Sequence, residues 1–294
     1  MSQSFLPSPE LMQQTLWSCL PEFASVQWLE QVNSTNIILL QDAKSEEQES
    51  VRPALVGAHY QTSGRGRLGR KWAGQQGATL MFSCAYDVHL APSRLPTLAP
   101  LAGIVACEQL RQALEPSMQA SLSMKWPNDI LYGEGKLSGL LVESVRPILG
   151  RSSNQHHTVV IGMGMNLADA EQLGAHLGRK VADWASVLRD MHKDEQLMSQ
   201  SMAHLVARIA KAWGEAIRLY ELEGFAPFIE RHRVLDALAE QEILVWQDGK
   251  VISQGTAVGL DEQARLLVRT EQGEVMPLLN GEISIRTQGA DIPA

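Results

Sequence analysis

The spacing of apolar residues changes several times along the chain. Pro9 to Leu20 fits a short helix, and Val26 to Val32 (VQWLEQV) alternates as a half-buried strand does. Ala54 to Tyr60 (ALVGAHY), Thr79 to Tyr86 (TLMFSCAY), Leu140 to Val145 and Thr158 to Met163 are apolar runs of strand length, the last two separated by the polar loop RPILGRSSNQHH. Helical spacing governs Pro100 to Leu114, ahead of Pro116, and again Glu195 to Leu238, where Leu205, Ile209, Trp213, Ile217 and Tyr220 share one face and are expected in the core. Ser34-Thr35-Asn36 offers three N-cap residue types directly before IILLQDA, so a helix is expected to start there with its free N–H groups and positive dipole end exposed. After Glu240 the texture becomes short strands, EILVW, VISQGTAVGL, ARLLVRT, EVMPLL and EISIR, with turns at Asp248-Gly249 and Gln272-Gly273. That spacing predicts a small antiparallel barrel of about 50 residues.

A chain of 294 residues with 45% hydrophobic content accommodates one large domain and a smaller companion. The expected division is 1–239, with 1–24 as an N-terminal extension, and 240–294. The net charge of −8 and isoelectric point near 5.5 argue against a DNA-binding protein, which draws its affinity from many Lys and Arg contacts with phosphate. Cys19, Cys84 and Cys107 are odd in number, lack CxxC spacing and sit among apolar or small residues, as buried free thiols do. The first residues, MSQSFLPSPE, do not read as a leader, and no apolar run approaches the roughly 20 residues of a membrane span. A cytoplasmic location and no membrane association are expected.

Within this acidic chain, Gln61 to Trp72 (QTSGRGRLGRKW) holds four basic residues and no acidic one. It contains Gly64-Arg-Gly66-Arg-Leu-Gly69, formally a dinucleotide fingerprint, but a Rossmann turn must open a helix and Gly74 and Gly77 follow too soon. Gly135-Lys136 is likewise no P-loop, since Ile130 and Leu137 stand where a glycine and a Ser or Thr are required. The eight histidines show no metal-ligand spacing, and His156-His157 reads as solvated loop.

The Gly/Arg loop offers backbone N–H groups free of Cβ obstruction, and Arg65, Arg67 and Arg70 offer planar donor forks for carboxylate or phosphate oxygens. Lys125-Trp-Pro-Asn128-Asp129 places a cation, a rigid corner, an amide and a carboxylate in five positions, and Lys136-Leu-Ser-Gly139-Leu-Leu-Val-Glu143 puts a lysine at the mouth of a strand. Ile161-Gly162-Met163-Gly164-Met165-Asn166 ends a strand in two glycines and an amide, either a tight turn or a place where a flat ring lies on the backbone while Asn166 reads its edge.

Taken in order, STN at 34–36, QTSGRGRLGRKW at 61–72, KWPND at 125–129, KLSGLLVE at 136–143, GMGMNL at 162–167 and, near the C-terminus, GTAVGLDEQARLLV and NGEISIR resemble biotin protein ligase. The resemblance implies an α+β fold, with a mixed sheet and flanking helices of the class II synthetase-like, biotin-lipoate ligase type, plus a C-terminal SH3-like barrel. It also implies an ATP-dependent enzyme that forms biotinyl-5′-adenylate and passes biotin to a lysine of a carrier, commonly the biotin carboxyl carrier protein of acetyl-CoA carboxylase. Ser34, Thr35, Asn36, Gln61, Gly64, Arg65, Gly66, Arg67, Lys136 and Gly139 would bind biotin. Arg65, Arg67, Arg70, Trp72, Lys125, Asn128, Asp129, Asn166 and Arg286 would bind ATP, and Asn128 with Asp129 would hold Mg²⁺. Lys136, Arg65 and Arg67 would be catalytic, with Lys136 placed where the biotin carboxylate meets the α-phosphate.

Only 33 residues precede Ser34, fewer than the winged-helix repressor domain of some family members needs, so a repressor role is not expected. Leu68 and Ser138 vary within the motifs without removing a charge or amide. Monomer and homodimer both remain open. The rivals are a lipoate or octanoate ligase or transferase of the same superfamily, and a biotin sensor without catalysis.

Overall fold

A computed structural model describes residues 5–45, 51–72, 74, 76–146, 155–193, 196–247, 250–278 and 284–287. Helix α1 (Pro9–Cys19) starts at Ser8, whose hydroxyl accepts from Leu11 N at 3.3 Å, with Pro9 where a missing N–H costs nothing. There follow β1 (Ser25–Val32), α2 (Thr35–Asp42), β2 (Ala54–Gln61), β3 (Thr79–His89), α3 (Leu98–Arg111), β4 (Leu122–Lys125), β5 (Asp129–Tyr132), β6 (Gly135–Val145), β7 (His156–Asn166), α4 (Ala170–Leu177), α5 (Trp184–Asp190), α6 (Gln196–Glu223) and α7 (Ala226–Leu235). The seven strands form one mixed sheet in the order β1-β2-β3-β7-β6-β5-β4. Only β1 and β2 run parallel, because α2 carries the chain back between them; every other pair is antiparallel.

The two faces of the sheet do different work, and the period of two assigns residues to each. On β7, Val159, Ile161, Met163 and Met165 face the main core, where they meet Leu80, Phe82 and Cys84 of β3 and helices α1, α3 and α6. Trp213 of α6 is fully buried there, stacked on Phe82 at 5.5 Å with its indole N–H on Ala102 O at 3.0 Å, so truncation to Ala would cost about 3–5 kcal/mol. The other face is thinly covered. Leu39 of α2 packs on Ala54, Val56, Ala85 and Val160, and beyond that small patch the strands carry Ser83, Gly162 and Gly164 instead of apolar bulk.

The C-terminal strands β8 (Glu242–Gln247), β9 (Lys250–Leu260), β10 (Leu266–Arg269), β11 (Val275–Leu278) and β12 (Ser284–Thr287) form an antiparallel sheet ordered β11-β10-β9-β8-β12, the strand order of a small SH3-like barrel. Long β9 serves β8 with its first half and β10 with its second. This unit rests against the large one: Trp126 Nε1 donates to Ala264 O at 2.9 Å.

Several expectations need adjustment. The long helical region is two helices, parted at Gly224, whose φ of +74° suits glycine. Its five expected core residues, Leu205, Ile209, Trp213, Ile217 and Tyr220, are all buried. His156 and His157 are not loop but the start of β7; His156 stacks on its cross-strand partner His89 at 5.0 Å, and His157 is buried. Strands β4 and β5 and helices α4 and α5 were not anticipated. Cys84 and Cys107 are buried free thiols as expected, with burial pushing Cys107 up to about 12, while Cys19 is half-buried. The Asp248-Gly249 turn lies outside the described residues. No described helix is long and apolar enough to cross a membrane.

Candidate functional site

Gly139 of β6 and Gly164 of β7 are directly paired, and together they make a bare patch of backbone on the thinly covered face. The Trp72 indole lies on it: a Cβ at Gly164 would sit 2.5 Å from Trp72 Cε2, and one at Gly139 would sit 3.0 Å from Cζ3. A flat ring does occupy the glycines, and it is the protein's own. Its Nε1–H is buried without an acceptor among the described residues, leaving a donor for whatever enters beside it. Two residues back along β7, a Cβ at Gly162 would strike Asn36 Oδ1 at 2.1 Å, so Asn36 lies on the same glycine track.

Ser34, Thr35 and Asn36 are buried at the start of α2. Ser34 is the N-cap residue in extended conformation, but its side chain makes no capping bond; Asn33 Oδ1 accepts from Ser34 N at 2.6 Å. The Thr35 N–H is not free either, since Gln61 Oε1 accepts it at 2.7 Å. Thr35 Oγ1 lies 2.6 Å from Ser83 Oγ, Ser83 donates to Asn36 Oδ1 at 2.6 Å, and Asn36 Nδ2 donates to Glu143 Oε2 at 2.9 Å. Glu143 in turn receives Arg65 through both oxygens, Nη1 at 3.2 Å and Nη2 at 3.0 Å. One chain of polar contacts thus runs from Gln61 to Arg65 across four separate sequence segments.

The Gly/Arg loop folds back on itself: Gly66 N donates to Arg70 O at 2.7 Å and Trp72 N to Gly64 O at 3.0 Å. A Cβ at Gly64 would lie 2.8 Å from Trp72 O, which is why that position is bare. Residues Arg67–Gly69 make a single 3-10 turn with Leu68 left-handed at φ 56°, so no α-helix follows the GxGxxG pattern. Arg67 Nη1 donates to Asn128 Oδ1 at 3.0 Å. Burial lowers its proton affinity, Asp129 opposes that and Arg70 reinforces it; a guanidinium stays charged regardless. Arg70 is exposed.

Lys136 Nζ donates to Asp129 Oδ1 at 2.6 Å and stands 5.6 Å from the Trp72 ring centre. Lys125 is paired with Asp129 across the β4–β5 hairpin, which puts both side chains on one side. Asn166, buried, donates Nδ2 to Lys136 O and Ala182 O, both at 3.1 Å, and so ties β7 to the lysine's own backbone. Trp72, Lys136 and Asn166 line a narrow cleft with Lys71, Leu173 and Leu177 of α4, Arg179 and Val181. A larger, open hollow of about 400 Å³ adjoins it through Arg179 and Val181 but carries none of the expected site residues, so the narrow cleft is the chemically relevant one. Arg286 lies on β12 opposite Leu244, and its side chain is outside the described residues.

Asn128 Oδ1 faces Arg67 and Asp129 Oδ1 faces Lys136, so two cations already stand at oxygens assigned to Mg²⁺. Among the described residues no group of three or more His, Cys, Asp or Glu side chains is arranged to hold a metal ion. Conversely, Ser83, Glu143, Lys71, Arg179, Leu173 and Leu177 were given no role by sequence. For Ser83 and Glu143 a signal existed, since each is a polar residue within or ending an apolar strand run.

Residues 28–166 match the Biotin/lipoate A/B protein ligase family and residues 240–286 match the Biotin protein ligase C terminal domain. The Biotin--[acetyl-CoA-carboxylase] ligase of Paracoccus denitrificans is 30% identical over 247 residues, covering 80% of this chain and 95% of its own. This chain belongs to the biotin protein ligase family. The bifunctional ligase/repressor BirA of Escherichia coli is 31% identical over 233 residues, 78% of this chain, and the chain spans 65% of that relative's length. Among solved structures, the biotin protein ligase from Aquifex aeolicus in complex with biotin and ATP is 26% identical, with a TM-score of 0.67, covering 90% of this chain and all of that one. The biotin protein ligase fold therefore extends over both units described above.

Proposed function

We propose that this chain activates biotin with ATP to give biotinyl-5′-adenylate and pyrophosphate, and then transfers biotin to a lysine of a carrier protein. The observation that carries this reading is the anchoring of Arg67 and Lys136 on the consecutive residues Asn128 and Asp129, with Lys136 lining the narrow cleft beside Trp72. Two anions that repel each other, a carboxylate and a triphosphate, need fixed cations where charge accumulates.

In this reading the ring of biotin lies in the polar pocket of Ser34, Thr35, Asn36 and Gln61, with Gly64, Arg65, Gly66 and Arg67 closing over it. The carboxylate points toward Lys136 and Gly139. Arg65, Arg67, Arg70 and Lys125 surround the phosphates, and Trp72 and Asn166 bound the base. Lys136 stabilises the charge that grows as a carboxylate oxygen attacks the α-phosphorus and pyrophosphate departs, and Mg²⁺ enters only as the counter-ion of ATP. The lysine amine of the acceptor then attacks the carbonyl of the mixed anhydride, and AMP leaves. Closure of the Gly/Arg loop keeps water from the anhydride in the interval.

The names of the relatives support the carrier of acetyl-CoA carboxylase as acceptor. The test is ATP-dependent incorporation of biotin into a biotin carboxyl carrier domain, with lipoate and octanoate as parallel substrates. Incorporation of biotin alone is expected. Preferred incorporation of lipoate or octanoate, or tight biotin binding without incorporation, would overturn the reading.

A further inference from the structure

Glu143 is the single acidic side chain in the polar chain that joins Gln61 to Arg65, and an ionised carboxylate can only accept hydrogen bonds. Its neighbour Asn36 must therefore turn Nδ2 toward it and Oδ1 toward Ser83. Ser83, required to donate its one proton to Asn36, must accept from Thr35, whose hydroxyl stands 2.6 Å away. The Thr35 backbone N–H takes Gln61 Oε1, and the Gln61 amide N–H groups are the end left to offer a ligand. At the other end the same carboxylate fixes Arg65 of the Gly/Arg loop through two bonds.

We infer that Glu143 is a positioning and specificity-determining residue, whose charge fixes the direction of the side-chain hydrogen bonds through Asn36, Ser83 and Thr35 in the ring pocket. It thereby selects a cyclic ligand with matching donors and acceptors over a plain fatty acid. A neutral amide at 143 would present either a donor or an acceptor, so the side chains of Asn36, Ser83 and Thr35 could each reverse, and a ligand would meet a mixture of patterns. The inference rests on the activity proposed above.

The experiment compares wild type, Glu143→Gln and the exchanged pair Glu143→Gln/Asn36→Asp with biotin and with octanoate, after thermal melts confirm folding. In the exchanged pair the acceptor-only group has moved one place, yet Ser83 must still donate to position 36, so the direction is retained. Glu143→Gln is expected to raise KM for biotin roughly ten-fold or more, as loss of a charge-assisted hydrogen bond would, and to raise it more than KM for ATP, which feels the change only through Arg65. Discrimination against octanoate, which lacks ring hydrogen bonds, is expected to fall by a similar factor. The exchanged pair is expected to recover most of the biotin KM. An unchanged biotin KM in Glu143→Gln, equal losses for biotin and octanoate, or no recovery in the exchanged pair would each overturn the inference. Wild-type turnover of biotin tests the activity itself, and the ratio of variant to wild type tests the role of Glu143, so the two can fail separately.

Discussion

Lys136 Nζ and Asp129 Oδ1 stand 2.6 Å apart, joined across the β5–β6 hairpin. Both side chains are mostly buried, at 18% and 27% exposure, so the pair is held more firmly than a surface ion pair. The lysine is thus aimed before any ligand arrives. Electrostatic catalysis of this kind works because the donor need not reorganise as charge develops.

Replacing Lys136 by Ala should lower the rate of biotinyl-adenylate formation by roughly 10²–10³-fold, the usual cost of removing one preorganised donor. Biotin binding should change by no more than a few-fold. Single-turnover adenylate formation and biotin calorimetry on the same protein separate the two effects, and equal adenylate synthesis by the variant would remove Lys136 from its role.

Two adjacent sites on β7 should part the two substrates. A Cβ at Gly162 meets Asn36 and one at Gly164 meets Trp72, both too close to be accommodated without movement. Overpacking of this sort costs about 1–3 kcal/mol. Gly162→Ala should therefore raise KM mainly for biotin, and Gly164→Ala mainly for ATP, each by about ten-fold or more. Steady-state kinetics in both substrates decide it; a shared pattern would mean that the glycine track does not divide the site.

The strands facing the core, the start of α2 and the helical core face were legible because period two or 3.6 was written in apolar residues. Strands β4 and β5 were not, since four residues on either side of Pro127 are too few to show a period. His156 and His157 were misread because their polarity is answered by the sheet itself: His156 stacks on His89 and approaches Asp87 Oδ1 at 3.6 Å, contacts that lie far apart in sequence. Motifs identified the residues around the cleft, but not their partners. The bond of Glu143 to Asn36 spans 107 positions, and that of Arg67 to Asn128 spans 61.

The C-terminal unit should stabilise the corner that carries Asn128 and Asp129. Trp126 is buried and its indole N–H reaches Ala264 O across the proposed 239/240 boundary. Trp126→Phe leaves that buried carbonyl without its donor, so a loss of about 1–3 kcal/mol is expected in chemical denaturation. An unchanged midpoint would mean that the contact adds nothing.

The buried pair His232 and Asp236, 3.9 Å apart, gives a pH test. Burial holds His232 down to about 4, so protons bind the unfolded chain first and stability falls as pH drops from 6.5 towards 4, by the order of 3 kcal/mol in full. Burial raises Asp236 to about 6, against a backbone hydrogen bond from Leu238, so this group adds stability of similar size as pH drops from 6 towards 3.8. The two offset each other in the native chain. Asp236→Asn should uncover the histidine, giving a Tm that falls more steeply than wild type between pH 6.5 and 4. Parallel curves would refute the assignment.

Activation of biotin is tested most directly without any acceptor, by incubating the protein with biotin and α-labelled ATP and resolving the nucleotide products. The label should appear in biotinyl-5′-adenylate only when biotin is present, with one equivalent of pyrophosphate formed. Biotin bound tightly while no adenylate forms would contradict the assignment of Lys136, Arg65 and Arg67 to that chemistry.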